Sequence, residues 1–285
     1  MGLSKDDVPP QVEETIMHVQ GEQQGQVWLN TALGKLNELE DDWEFRPVEV
    51  IDAGEESLLV KVEETAAEES AVIKIPVDAQ AGCDEIAALK IWEDCNVPEV
   101  RYEDANTGMF MMDYVPPTEK NVTPFQAFVL ADVLHTPAQN FDYRFPSLED
   151  NLYRRITRAY RRAGKGSADL DLAVKTVETL LRTQDHEELL HGDYRNDNII
   201  YSEDGPVIID PMPCMGDSLF DIALWLADNN DYDDIAVVLE LTAGFGERLV
   251  PWIWSLTVLD QWERDTFVVE GLKPSVSRWL QAASR

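Results

Sequence analysis

Apolar positions first acquire a rhythm at Val27, Trp28, Leu29, Leu33, Leu36 and Leu39, where steps of three and four align them on one face and predict a helix over 27–40. Residues 1–26 ahead of it are polar, rich in Gln and Glu and broken by Pro9-Pro10, the pattern of a frayed lead-in or one short helix. The rhythm then shortens. Trp43–Pro47 with Val48-Glu49-Val50-Ile51, Leu58–Val62 and Ala71–Ile75 are short apolar runs that predict strands, with a turn at Asp52–Ser57 between the first two. Gly82–Trp92 predicts a helix, and Val100–Tyr102 and Gly108–Val115 read as two further strands. Pro116-Pro117 stiffens the connection that follows. From Thr123 the spacing is helical again, over 124–135, about 148–163 and 168–187. A last stretch, 231–282, carries Trp252, Trp254, Trp262 and Trp279 in helical patterns that read as core. The order of elements predicts an α+β chain: a β-rich lobe over 1–115, with its polar lead-in, and a helical lobe over 116–285.

Between the helical runs lies His191-Gly192-Asp193-Tyr194-Arg195-Asn196-Asp197-Asn198. Two short apolar strands follow, Ile199-Ile200-Tyr201 and Pro206–Ile209, joined by a turn at Ser202–Gly205 and leading to Asp210. An Asp, an Asn five residues on and an Asp twelve beyond that have the spacing that phosphoryl transfer needs. The transferred group passes through a loose, anionic transition state, so positioning and charge neutralisation do most of the work. The carboxylate of Asp193 can accept the proton of an acceptor hydroxyl. The amide oxygen of Asn198 and the carboxylate of Asp210, returned beside it by the hairpin, are hard oxygen ligands for magnesium, which takes phosphate oxygens and water for the rest. His191 reads as a brace of this loop, because the loop already has its base.

The run HGDYRNDN, followed by IDP, GD and FDIA, resembles the signature of the aminoglycoside phosphotransferases, relatives of the protein kinases. The IDP form and the Trp-bearing amino-terminal lobe resemble in particular the aminoglycoside/hydroxyurea antibiotic-resistance kinases, which include streptomycin phosphotransferases. The resemblance runs from about Val27 to Trp262 and is strongest over 188–227. It implies a two-lobed, protein-kinase-like fold, ATP with magnesium (GTP being the open alternative) and a small-molecule acceptor. It makes Asp193 the catalytic base and Asn198 and Asp210 the magnesium ligands. It gives Arg195 a supporting electrostatic role toward the γ-phosphate, and it makes Asp221 a brace of the catalytic loop through backbone hydrogen bonds.

In the first lobe, Lys74 within its apolar strand resembles the kinase Lys that meets the α- and β-phosphates. Glu85, eleven residues later, is its expected partner, chosen over Asp84 and Glu93 because E-x-x-A-L-x-x-W resembles the family's helix. The phosphate loop would contribute Gly54 and Ser57, although with one Gly and two acids it is poorer in glycine than such loops usually are. The strand ending Asp113-Tyr114-Val115 resembles the kinase hinge, with adenine bonded to the backbone carbonyl of Asp113 and the amide of Val115, and Met112 behind the base.

Charge narrows the partners. The chain of 285 residues carries 55 Asp and Glu against 23 Lys and Arg, a net charge of −32, which would repel nucleic acid and anionic membranes. A cationic acceptor would suit it, though most of the acidity reads as a solvated surface that keeps the protein soluble in salt. Screening of that self-repulsion should raise the melting temperature from low to molar salt; a melting temperature that stays flat would count against it. The three cysteines, Cys83, Cys95 and Cys214, have neither disulfide nor metal spacing, and Cys214 reads as a buried, inert thiol. The amino terminus shows no signal core and no apolar run nears the ~18 residues of a membrane span, so the expected location is the cytoplasm.

Arg154, Arg155, Arg158, Arg161 and Arg162 form the basic cluster of the sequence and are expected to pair with the chain's own carboxylates. Gly164-Lys165-Gly166-Ser167 lacks the upstream Gly of a phosphate-binding Walker sequence. A protein kinase is disfavoured because no long activation segment or A-P-E sequence follows Asp210. Kinases of choline, sugars or amino-sugar metabolites share every catalytic residue, and a non-catalytic kinase-like binding protein would usually have lost one of Lys74, Asp193, Asn198 or Asp210, all of which are present.

Overall fold

The computed structural model describes residues 2–53, 57–66, 69–163, 167–228, 240, 242–261 and 266–283. It divides into two compact units, Met1–Pro117 and Thr118–Arg285.

In the first unit, α1 (Pro10–Gln20) and α2 (Glu22–Leu39) precede β1 (Phe45–Ala53), β2 (Ser57–Glu64) and β3 (Ser70–Pro76). Then come α3 (Ala79–Ile91), β4 (Val100–Asp104) and β5 (Met109–Asp113). The strands form one antiparallel sheet in the order β1-β2-β3-β5-β4. Strand periodicity assigns its two faces. Ala71, Ile73, Ile75, Met109 and Met111 pack with Leu29, Leu33 and Leu36 of α2, whereas Val72, Phe110 and Met112 point the other way and pack with Ile86 and Leu89 of α3. Lys74 has the parity of Val72, so the same alternation that builds the core aims it at the α3 face. The turn between β4 and β5 closes tightly on α3. Gly108 there has φ +69°, and a Cβ on it would stand 2.4 Å from the carbonyl oxygen of Ala79.

Of the two forms expected for the amino-terminal segment, the structure shows the short helix rather than the frayed lead-in. A 3-10 turn over Lys5–Asp7 leads into α1, and α2 begins at Glu22, five residues before its apolar stripe. Val8, Val12 and Ile16, spaced by four, are buried with Leu3 against the α2 side of the sheet. Val12 and Ile16 on one face of α1, with Val8 in the extended residues just ahead of it, suffice to dock a segment whose overall composition is polar, and Pro10 at the first helical position tolerates its missing N–H there.

The second unit opens with α4 (Pro124–Leu134), whose N-terminus is closed by a reciprocal Thr123–Gln126 capping box. A two-residue strand β6 (Thr136–Pro137), α5 (Leu148–Ala163), α6 (Ala168–Arg182) and β7 (Glu188–Leu190) follow. The hairpin β8 (Ile199–Ser202) and β9 (Gly205–Ile208), then β10 (Cys214–Gly216), lead to α7 (Leu219–Asp228), α8 (Leu249–Gln261) and α9 (Thr266–Ala283). A small sheet of order β10-β7-β6 carries the chain into the polar loop. α8 is apolar on every side, with Trp252, Ile253, Trp254, Leu256, Val258 and Leu259 buried, and packs against α6, α7 and α9. α6 ends at Arg182 rather than running to residue 187. Arg248 stops it by donating to the carbonyls of Leu180 and Thr183 at 2.9 and 3.0 Å, a cation where the helix dipole is negative. No described helix is long and apolar enough to cross a membrane. Gly164, Lys165, Gly166 and Trp262 lie outside the described residues.

Candidate active site

The polar loop between β7 and β8 is tied down by hydrogen bonds at nearly every residue. Asp221, fully buried near the start of α7, accepts the backbone N–H of His191 at 2.8 Å on one oxygen and that of Gly192 at 3.0 Å on the other. His135, which nothing in the sequence marked, places its Nε2 3.3 Å from Asp221. A buried carboxylate needs such donors to offset its lost hydration. Gly192 has φ +77°, and a Cβ on it would lie 2.0 Å from the carbonyl oxygen of Met212. Gly192→Ala should therefore displace the loop, so kcat falls while the melting temperature drops; an alanine variant with native activity would show that the loop has room to adjust.

His191 is buried and neutral. Its Nδ1 accepts the N–H of Asp193 at 3.3 Å and its Nε2 donates to the carbonyl of Ile209 at 3.0 Å, which fixes the Nε2–H tautomer. Burial pushes its pKa below the usual imidazole value, outweighing the nearby carboxylates. It braces the loop against the segment that carries Asp210. Tyr194, also buried, anchors the loop to α4 by donating to the carbonyl of Ala127 at 2.7 Å.

Asp193 presents a carboxylate held on both oxygens. Arg155 on α5 donates to Oδ1 at 2.9 Å, and the side-chain amide of Asn198 donates to Oδ2 at 3.2 Å and to the Asp193 carbonyl at 2.8 Å. That amide nitrogen is thereby committed, which leaves the Asn198 side-chain oxygen as the atom available to a metal. The hairpin returns the chain as its sequence demanded: Ile199 pairs with Ile208, and the Ile209 N–H donates to the Asn198 carbonyl at 2.9 Å. Asp210 follows at once, exposed and in the left-handed region at φ +58°, a conformation that Asp tolerates better than most residues and that recurs at functional sites. One amide oxygen and one carboxylate are a donor set that fits magnesium. Among the described residues no three His, Cys, Asp or Glu gather to hold a metal, so the remaining ligands would be phosphate oxygens and water.

Arg195 lies 3.6 Å from Asp193 and 3.7 Å from Asp228, and its Nε is buried with no hydrogen-bond acceptor among the described residues. That Nε is the atom 3.6 Å from Asp193 Oδ1, an ion-pair contact just beyond hydrogen-bond distance, so the guanidinium charge is shared loosely between two carboxylates. Cys214 is a free, fully buried thiol, and burial pushes its pKa well above the usual thiol value, so it is inert.

In the first unit, Lys74 Nζ lies 2.8 and 2.7 Å from the two oxygens of Glu85, and both side chains are buried. Asp84 instead accepts from Gln80 at 2.8 Å. Ser57 begins β2, is buried and pairs with Pro76, while Gly54 lies outside the described residues. Asp113 ends β5. Its N–H donates to the Glu99 carbonyl at 3.2 Å and its carboxylate accepts from Arg101 at 2.7 Å, so Arg101, which also meets Glu64 and Glu69, pins the strand end from which Val115 continues. Asp113 and Val115 thus stand on a strand end pinned by charge.

The fold is protein-kinase-like: a sheet-bearing unit with one helix after the Lys strand, and a helical unit that holds the polar loop and hairpin. Solved structures share it. A candidate fructosamine-3-kinase from Thermobifida fusca matches with a TM-score of 0.57 at 19% identity, covering 85% of this chain and 98% of that one. An aminoglycoside phosphotransferase, APH(4)-Ia, solved as a thermostable mutant with ADP and hygromycin B, matches with a TM-score of 0.52 at 12% identity, over 87% and 95% of the two chains. An ethanolamine kinase from Plasmodium vivax matches with a TM-score of 0.50 at 14% identity, over 99% and 95%. No curated protein sequence matches. Residues 42–250 match the aminoglycoside/hydroxyurea antibiotic resistance kinases, and the chain belongs to that family.

Proposed function

We propose that this protein is a cytoplasmic, magnesium-dependent kinase that moves the γ-phosphate of ATP to a hydroxyl of a small molecule, a streptomycin-like aminoglycoside or hydroxyurea being the foremost acceptors. The observation that carries the reading is the Asp193 carboxylate, fixed on both oxygens, with Asn198 beside it and Asp210 returned by the hairpin. The family's description and the neighbour bound to ADP and hygromycin B support an antibiotic acceptor and an adenine nucleotide.

Asp193 would orient the acceptor hydroxyl and take its proton as the bond to phosphorus forms. Arg195 would give electrostatic support to the γ-phosphate, and Lys74, held by Glu85, would meet the α- and β-phosphates. Gly54 and Ser57 would line the phosphates, and the backbone of Asp113 and Val115 would hold adenine. Asn198 and Asp210 would hold magnesium, which when bound neutralises charge on the phosphate oxygens. The net charge of −32 favours a cationic acceptor.

The test is nucleotide turnover with magnesium and ATP or GTP against streptomycin, other aminoglycosides, hydroxyurea, choline, simple sugars and amino sugars. Turnover dependent on an aminoglycoside or hydroxyurea supports the reading. Dependence on choline or a sugar moves the acceptor to metabolism, and failure to bind nucleotide overturns the kinase reading in favour of a binding protein.

A further inference from the structure

One charged group at the site has no place in the reaction just described. Arg155 lies on α5 one turn after Asn151, and both face the catalytic loop. Asn151 donates to the carbonyl of Gly192 at 3.1 Å and accepts from Arg155 Nε at 3.0 Å. The guanidinium then divides its remaining donors. One terminal nitrogen meets the Gly192 carbonyl at 3.2 Å and Asp193 Oδ1 at 2.9 Å, while the other pairs with Asp260 at the end of α8. Its Cζ lies over the ring of Phe220, 5.8 Å from the ring centre. A guanidinium so enclosed has lost most of its water, and only a full set of acceptors makes that tolerable.

We propose that Arg155 is a positioning residue for the phosphoryl transfer: anchored by Asp260 and Asn151, it locks the orientation of the Asp193 carboxylate toward the acceptor hydroxyl. The inference rests on the kinase reading and adds a component to it. A carboxylate turns readily about its last side-chain bond. Here Oδ1 is held from α5 and Oδ2 from Asn198, so the plane is fixed before a hydroxyl arrives. That removes an orientation cost which would otherwise fall on the reacting complex. The planar fork is essential, because bonds to Asn151, Gly192, Asp193 and Asp260 at once require donors pointing in different directions in one plane. A lysine ammonium is a compact charge on a flexible stem and cannot span them.

The experiment uses the full chain with its best acceptor. Arg155→Lys keeps the charge and should lower kcat roughly 10²-fold with KM for ATP unchanged, the signature of misplaced chemistry rather than weakened nucleotide binding. Asp260→Asn should lower kcat in the same direction by a smaller factor, because Arg155 loses an anchor but keeps Asp193. In Arg155→Ala, added guanidinium should restore part of the lost rate, a recovery that a purely structural role would not produce. Arg161→Ala, an exposed residue of the same helix, is the control and should behave as wild type. Wild-type kcat in Arg155→Lys, or a raised KM for ATP that accounts for the whole loss, overturns the assignment. Should Arg155→Ala fail to fold, the Lys and Asn variants decide. An active wild type with an unaffected Arg155→Lys defeats this inference alone, whereas a wild type without turnover on any acceptor defeats the kinase reading and this inference with it.

Discussion

Asp193→Asn should lower kcat by roughly 10²–10⁴-fold while magnesium-ATP still binds, the usual scale for losing a general base. The substitution keeps the shape and the side-chain oxygen that Arg155 reaches at 2.9 Å; it loses the 3.2 Å bond from the Asn198 amide, which keeps its 2.8 Å bond to the residue 193 carbonyl, so the loop should stay in place. What disappears is the proton acceptor. Asn cannot take the hydroxyl proton, and the transition state loses an oriented negative charge. Asp210→Ala would act on a different quantity, removing a carboxylate ligand and with it the magnesium dependence of nucleotide binding. Steady-state kinetics beside calorimetric titration with magnesium-ATP separate the two. Native turnover in Asp193→Asn would remove Asp193 from the chemistry.

Lys74→Ala should destabilise the protein by about 3–5 kcal/mol and raise KM for ATP, because it removes the cation paired with a buried carboxylate. Glu85 is only 4% exposed and holds Lys74 at 2.7 and 2.8 Å, so its charge was taken out of water on condition of that partner. Changing both at once, Lys74→Met with Glu85→Gln, should recover part of the stability and none of the nucleotide binding, since no charge then remains to be compensated or to meet phosphate. Chemical denaturation of the full chain reads the first effect and nucleotide titration the second. Equal stability of Lys74→Ala and wild type would show that the pair contributes nothing to the fold.

Much of the candidate site's polar loop was legible because its spacing is local. Asp193, Asn198 and Asp210 are joined by one loop and hairpin, and two four-residue strands around Glu203-Asp204 leave the chain little freedom but to return. Lys74 was legible for a related reason: the alternation of β3 sends its neighbours Ile73 and Ile75 to one face and leaves Lys74 on the face of α3. For the amino-terminal segment the polar composition left a frayed lead-in and one short helix both open; Val8, Val12 and Ile16, four apart, favour the helix that forms.

Arg155 was read as one of five arginines awaiting carboxylates, and it does meet two. A finer signal was present. Leu148, Asn151, Leu152 and Ala159 are the buried positions of α5, and Arg155 falls in the same stripe, where a charge can stay only if the fold supplies acceptors. His135 had no such signal. Its approach to Asp221 spans 86 residues of sequence.

The order of the main elements, the faces of the first unit's sheet and the return of Asp210 toward Asn198 were determined by the sequence alone, since each follows from periodicity or from spacing within one loop and hairpin. Lys74 and Glu85 apart, the partners of the buried charges were decided by tertiary structure. Asp221 under the loop, Asp260 on Arg155 and Arg248 on the end of α6 are pairings between distant segments, and only the packing of α7 and α8 brings their partners within reach. In a chain with 55 acids, sequence offers many partners to every base; desolvation selects the few that the fold can bury together.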